Sequence, residues 1–190
     1  MGYDGFAELK KMLQADNDEK ISFSDQQDVD ELIQFLKSTE EEECEKKIDE
    51  FVDLILEKSN VFFFGIGNSA AMAYYGARYF SDLGLFSFYI DDPFYPSYLR
   101  SSDYCAIFLS ESGETVELIR QVSHLKEAGA TVLLITNNEE STLAKMADCT
   151  LAYHVTETKL VQTFDLTSQV PTLYLLEKIA KRVKGFIPET

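Results

Sequence analysis

Three hydroxyls surround one glycine in Ser110-Glu111-Ser112-Gly113-Glu114-Thr115. Ser and Thr hydroxyls, together with the amides of a tight turn, are donors that suit phosphate oxygens. A second stretch, Gly65-Ile66-Gly67-Asn68-Ser69, offers a glycine turn with one amide and one hydroxyl side chain. Neither stretch contains Lys or Arg, so the pair reads as a hydroxyl-and-amide cradle. Such a cradle fits a compact phosphomonoester better than a Mg²⁺-bound triphosphate, which calls for a lysine. The candidate phosphate-contacting residues are Gly67, Asn68, Ser69, Ser110, Glu111, Ser112, Gly113 and Thr115. Each loop also has a plainer use, with Ser69, Ser112 or Thr115 serving as an ordinary helix cap and Ser110 facing solvent.

Other phosphate motifs are excluded. Ala70 stands where a third glycine would complete a GxGxxG fingerprint, and no GK[ST] follows the first turn. Proton transfer has few candidates. His124 lies about two turns into a helix, remote from any strand end, whereas His154 and Glu157 lie near the end of the fifth strand. These last two are the residues considered for acid–base chemistry. No metal site is read. The acidic run Glu40–Glu43 is explained by the first turn of a helix, where the dipole favours carboxylates, and no cofactor is called for.

The elements that must position these loops follow from periodicity. Val61–Phe64 is a short apolar run of the kind found in a buried parallel strand. A helix to Leu83 follows, with Gly84 at its C-terminus. Strands are then expected at Phe86–Ile90, Cys105–Leu109, Thr131–Ile135 and Thr150–Val155. Helices are expected at Thr115–Ala128, Ser141–Ala147 and within Gln162–Val183, where Pro171 marks a first turn. Upstream, Ser24 caps a helix whose apolar face is Val29, Leu32, Ile33 and Leu36, and Ser38-Thr39 begins the next. Asp91–Leu99 is a loop. Alternation at this spacing predicts an α/β fold: a three-layer α-β-α sandwich on a five-stranded, mainly parallel sheet. Ligands then belong beyond the carboxyl ends of the strands.

Composition bounds the partners. The chain has 190 residues, with 17 basic against 33 acidic residues and a net charge of −16. That balance opposes direct binding of a nucleic-acid backbone or an anionic membrane surface. No transmembrane run or signal peptide is visible. Cys44, Cys105 and Cys149 are too widely spaced for a zinc knuckle or a disulfide framework, which points to reduced thiols in a cytoplasmic protein. Ten Tyr and 14 Phe with no Trp leave aromatic surface for packing or for a subunit interface.

With GIGNSA at Gly65–Ala70, SESGET at Ser110–Thr115 and ATVLLITNNEESTLAKMAD at Ala130–Asp148, the chain resembles the SIS (sugar isomerase) domain family over about Lys46–Val183. Within that family it looks closest to the phosphosugar-sensing domain of RpiR-type transcriptional regulators. The resemblance implies a phosphosugar ligand held by Ser69, Ser110, Ser112 and Thr115, and a homodimer or higher homo-oligomer with sites near the subunit interface. It also divides the chain. Residues 1–14 resemble the closing helix of a helix-turn-helix domain that is otherwise missing, residues 15–41 form a linker and N-terminal helix, and residues 42–190 form the SIS-like domain. The expected function is a sensor domain of a sugar-metabolism regulator that does not itself bind nucleic acid. The alternative is a phosphosugar aldose–ketose isomerase. Catalytic relatives that resemble arabinose 5-phosphate isomerase carry a lysine on the helix after the first loop, and here no Lys occurs between Asn68 and Asp82.

Overall fold

The computed structural model describes residues 25–92, 94, 103–161 and 164–187. The helix-turn-helix remnant expected in residues 1–14, the Ser24 cap and most of the Asp91–Leu99 loop lie outside them. Five parallel strands form one sheet: β1 (Asn60–Phe64), β2 (Phe86–Ile90), β3 (Tyr104–Leu109), β4 (Thr131–Thr136) and β5 (Cys149–Ala152). Their spatial order is β2-β1-β3-β4-β5. The chain therefore builds outward from β1 in one direction, then returns to β3 and builds in the other. The gap between β1 and β3 is the topological switch point, where loops splay apart and leave a crevice.

Alternating side chains of the central strands serve two cores. Val61 and Phe63 of β1, with Cys105, Ile107 and Leu109 of β3, face the helices α2 (Glu42–Leu56), α3 (Asn68–Asp82) and α6 (Val170–Lys184). Phe64, Ala106, Phe108, Val132 and Leu134 face α4 (Val116–Glu127) and α5 (Thr142–Met146). All six residues of β3 are buried, as a central parallel strand covered on both faces requires. The edge strand β2 is mostly exposed. Two elements were not expected, the short antiparallel pair β6 (Lys159–Val161) and β7 (Phe164–Asp165), which precedes α6.

Three local expectations are corrected. In α1 (Asp25–Ser38) the buried residue is Phe35, whose ring packs edge-on against Tyr153 and Tyr174, while Val29, Ile33 and Leu36 are exposed. One large ring between two others removes more apolar area than the aliphatic stripe. Ser38 and Thr39 do not start α2. Their hydroxyls donate back to the Phe35 and Leu36 carbonyls and finish α1, and Glu41 is the N-cap of α2. Ser69 does not cap α3, because Gly67 occupies that position.

Burial settles the cysteines. All three are free thiols, and desolvation pushes Cys149 up to about 11 and Cys105 higher still. Their thiolates are thus scarce at neutral pH, and they act as small apolar side chains. Among the described residues, no helix is long and apolar enough to cross a membrane.

Candidate functional site

Both glycine loops lie at the carboxyl ends of β1 and β3, on the two sides of the switch point. A cleft of about 280 Å³ opens between them. Gly67, Asn68, Ser69, Ser110, Glu111, Ser112 and Thr115 line it, so seven of the eight candidate phosphate residues share one cavity. Two helix N-termini belong to these loops, since α3 begins at Asn68 and α4 follows Thr115. First-turn amides have no intrahelical partners and carry the positive end of the helix dipole. An anion placed there meets oriented donors without any lysine or arginine.

The second loop is built as a rigid cradle. The Ser110 Oγ accepts from the Gly113 amide at 3.2 Å and lies 3.5 Å from the Thr115 Oγ1. Ser112 Oγ accepts from the Glu114 amide at 3.2 Å. Thr115 is the N-cap of α4, yet its side chain makes no cap hydrogen bond. Its hydroxyl is therefore not spent on the helix, which weighs against the plainer use for this residue. Gly113 shapes the turn rather than lining the cleft. Its φ is 65°, and a Cβ there would lie 2.1 Å from the Ser141 Oγ. The neighbouring strand fixes the loop from behind. The Glu111 carbonyl accepts from the Asn137 amide at 2.9 Å and from the Thr136 hydroxyl at 3.0 Å. Glu114 reaches across to α5, where its carboxylate accepts from the Thr142 amide at 2.7 Å, and that bond holds its carboxyl below the ordinary value. Ser141 caps α5, its side chain accepting from the Ala144 amide.

The first loop is pinned by sterics. A Cβ on Gly65 would lie 2.4 Å from the Ser69 carbonyl oxygen, so only glycine lets α3 start this close to β1. Asn68 donates its side-chain amide to the Asp165 carbonyl at 2.9 Å. That donor is turned to the β6–β7 pair, which makes Asn68 a tether of the first loop.

Residues that sequence reasoning missed complete the cavity. Ile66, Leu109 and Leu118 add apolar lining, and Asp165 and Gln169 add polar lining. Asp165 Oδ1 accepts from the Thr167 amide at 2.8 Å, and Gln169 is the N-cap of α6. Leu109 and Leu118 flank the serine loop at the ends of predicted elements, so the fold class alone could have found them. Asp165 sits in a stretch with neither helical nor strand periodicity and had no such signal. Buried Tyr153 accepts a hydrogen bond from Thr172 at 3.1 Å. Burial pushes its hydroxyl up to about 12, and the negative charges of Glu111 and Asp165 add to the push against the opposing effect of the Thr172 bond.

The acid–base candidates stand elsewhere. His154 is exposed and lines a different cavity of about 430 Å³, between α1 and the segment after β5, with Glu31, Phe35 and Thr156 among its neighbours. Glu31 accepts from both the Thr156 amide and the Thr156 hydroxyl there, at 2.8 and 2.7 Å. Glu157 is exposed and lines neither cavity. His124 is an exposed residue of α4. Among the described residues, no three His, Cys, Asp or Glu side chains gather to hold a metal ion.

The SIS domain family model matches residues 54–176, which include both loops and all five strands of the sheet. The chain belongs to the SIS domain family. An uncharacterized HTH-type transcriptional regulator of Thermotoga maritima is 30% identical over 135 residues, covering 70% of this chain and 48% of that protein. The chain thus spans about half the length of the curated regulators it matches. A 3-hexulose-6-phosphate isomerase of Methanocaldococcus jannaschii is 26% identical over 145 residues, covering 75% of this chain and 79% of that one. Among solved structures, the Vibrio vulnificus NanR protein complexed with ManNAc-6P superposes with a TM-score of 0.76 at 20% identity, over 98% of this chain and 71% of that one. The sugar isomerase domain of an RpiR transcription factor from Sphaerobacter thermophilus gives 0.70 at 19% identity, over 84% and 86%. In sequence this SIS domain is similar to HTH-type transcriptional regulators, and in fold to the sugar isomerase domain of an RpiR transcription factor.

Proposed function

We propose that this chain is a phosphosugar-binding module that senses its ligand rather than converting it, acting within or alongside a cytoplasmic regulator of sugar metabolism. One observation carries the reading: Ser69, Ser110, Ser112 and Thr115 converge with two helix N-termini on one cleft at the switch point. The phosphomonoester is held by hydroxyls and amides at the two loops, and the sugar body extends along the cleft toward α6. A homodimer gives such a module its output. Ligand occupancy changes the relation between subunits, and so the state of whatever the dimer carries. The net charge of −16 favours a chain that does not itself grip a nucleic-acid backbone. Against catalysis stand the placement of His154 and Glu157 away from the cleft and the absence of lysine along α3.

A second reading, phosphosugar isomerase, is favoured by the likeness to the M. jannaschii isomerase over most of that protein's length. It would rest on Glu111 or Asp165 as base, the two carboxylates that line the cleft. A panel of pentose and hexose phosphates, scored by calorimetry for binding and by NMR for aldose–ketose conversion, separates the two. Saturable binding without conversion is expected. Conversion of any bound ester, abolished by Glu111→Gln or Asp165→Asn, would replace the sensor with an enzyme.

A further inference from the structure

The sheet has unequal edges. Among the described residues, β2 ends it on one side and β5 on the other. β5 is four residues long, and its Cys149 and Leu151 belong to the core. β2 keeps an unbroken register with β1 from Phe86 to Ile90. It contains no charged residue, proline or bulge, the devices that usually guard an edge. Its rings instead meet solvent. Phe86 is 60% exposed, Phe88 47% and Tyr89 42%, and Tyr74 of α3 is 56% exposed beside them. These rings hold one another in place. Phe86 lies edge-on to Phe88 with centroids 4.7 Å apart, Phe88 stacks on Phe62 at 6.0 Å, and Tyr74 lies edge-on to Tyr89 at 5.1 Å. Phe86 and Phe88 occupy one face of the strand and Tyr89 the other. The four exposed rings offer about 400 Å² in one copy, or about 800 Å² in two, toward the roughly 1,200–2,000 Å² of a specific interface.

We infer that a second copy of this chain docks on this edge, its β2 antiparallel to the first across a two-fold axis at Phe88. That axis stands perpendicular to the sheet, so each aromatic face meets its like, with Phe88 opposite its counterpart and Phe86 opposite Ile90 of the second copy. Charge selects the direction. Asp91 and Asp92 follow β2 directly. An antiparallel copy sends them to opposite ends of the pair, across from Leu85 and Gly84, whereas an in-register parallel copy sets them against their own kind. Two copies at −16 repel one another, and an uncharged edge is where that repulsion is least. The surface is separate from the phosphosugar site, since none of the four rings lines the cleft.

Sedimentation equilibrium of the full chain over a wide concentration range, paired with amide exchange, tests it. The wild type is expected to associate, more tightly as salt screens the repulsion between acidic copies, with slowed exchange across Phe86–Ile90 in the associated form. Phe88→Asp sets two carboxylates at the axis and should weaken association by about ten-fold or more, and Tyr74→Asp by less, with thermal unfolding confirming that both variants fold. Phe88→Cys is expected to form a disulfide between copies under a mild oxidant, while the wild type and Ile33→Cys on α1, a similarly exposed position, are not. A chain that is monomeric at every concentration overturns the inference. So does association that both acidic variants leave untouched, or a Phe88→Cys chain that cross-links no faster than the Ile33→Cys chain. Slow exchange across β2 in a monomer also overturns it, because another part of the chain then covers the edge. Should Phe88→Asp fail to fold, Tyr74→Asp and the cross-link decide the matter.

Discussion

The two loops that face each other across the cleft are held in opposite ways. The loop after β3 is braced from behind: Thr136 and Asn137 hold the Glu111 carbonyl, the Leu143 amide donates to the Gly113 carbonyl at 3.1 Å, and Glu114 ties to α5. The loop after β1 is pinned by the close approach at Gly65, and a long-range side-chain bond runs from Asn68 to the β6–β7 segment. One loop is fixed in place before any ligand arrives, as the proposed phosphate site requires. The other ties the start of α3 to the β6–β7 segment, the route by which the proposed sensor would pass on ligand occupancy.

The sharpest way to break that contrast is to disturb the braced loop. Gly113→Ala forces a side chain into a positive-φ position and against Ser141, at a cost of about 2–5 kcal/mol by the combined effect of strain and overpacking. Chemical denaturation should show that loss, with phosphate-ester binding abolished. Gly65→Ala pushes α3 away from β1 and is expected to cost about 1–3 kcal/mol, together with a weaker but measurable site. Thr136→Val removes the hydroxyl that holds Glu111 and should cost about 1–2 kcal/mol in stability. It should also raise hydrogen exchange in Ser110–Thr115 while leaving the first loop unchanged. Asn68→Ala is the converse. It costs about 1 kcal/mol or less, spares the second loop and loosens the Asp165 wall, read as a loss of discrimination among sugars with little loss of phosphate affinity.

The smallest effect lies outside both loops and serves as their control. Hydrogen bonds from Lys178, then Arg182, hold the Glu45 carboxyl below its ordinary value of 4.5. A carboxyl lowered by folding contributes stability that is present above its unfolded value and lost as pH falls through the folded one. Thermal unfolding followed from pH 6 to about pH 3 should therefore show a decline below about 4.5, and Glu45→Gln should flatten part of it. Glu45 is partly exposed, so solvent screening keeps this contribution small.

Much of this arrangement is legible in the residues themselves. Val61–Phe64 and Cys105–Leu109 announce buried strands through unbroken apolar runs, and the glycines and hydroxyls that follow them announce the loops. Because parallel strands put their loops on one edge, Ser69 and Ser110 could be brought together before any coordinates were known. What stayed hidden depends on tertiary choice. β6 and β7 are three and two residues long, carry no periodicity, and lie where Asn68 reaches them. Asp165 therefore had no sequence signal. On α1, periodicity favoured Val29, Ile33 and Leu36, but the space between Tyr153 and Tyr174 took Phe35 instead. His154 and Glu157 follow β5 closely in sequence, yet β5 is an edge strand, three places from β1 across the sheet, and its end opens on α1 rather than on the switch point.

The central claim is that the Ser110–Thr115 loop binds a phosphate group. Calorimetric titration of a sugar phosphate and its unphosphorylated parent into the wild-type chain, and into Ser110→Ala with Ser112→Ala, tests it most directly. The account predicts binding of the ester alone, weakened by about ten-fold or more in the double variant through the loss of hydrogen bonds to a charged group. Equal affinity for the parent sugar, or an ester affinity that the double variant leaves untouched, would contradict it.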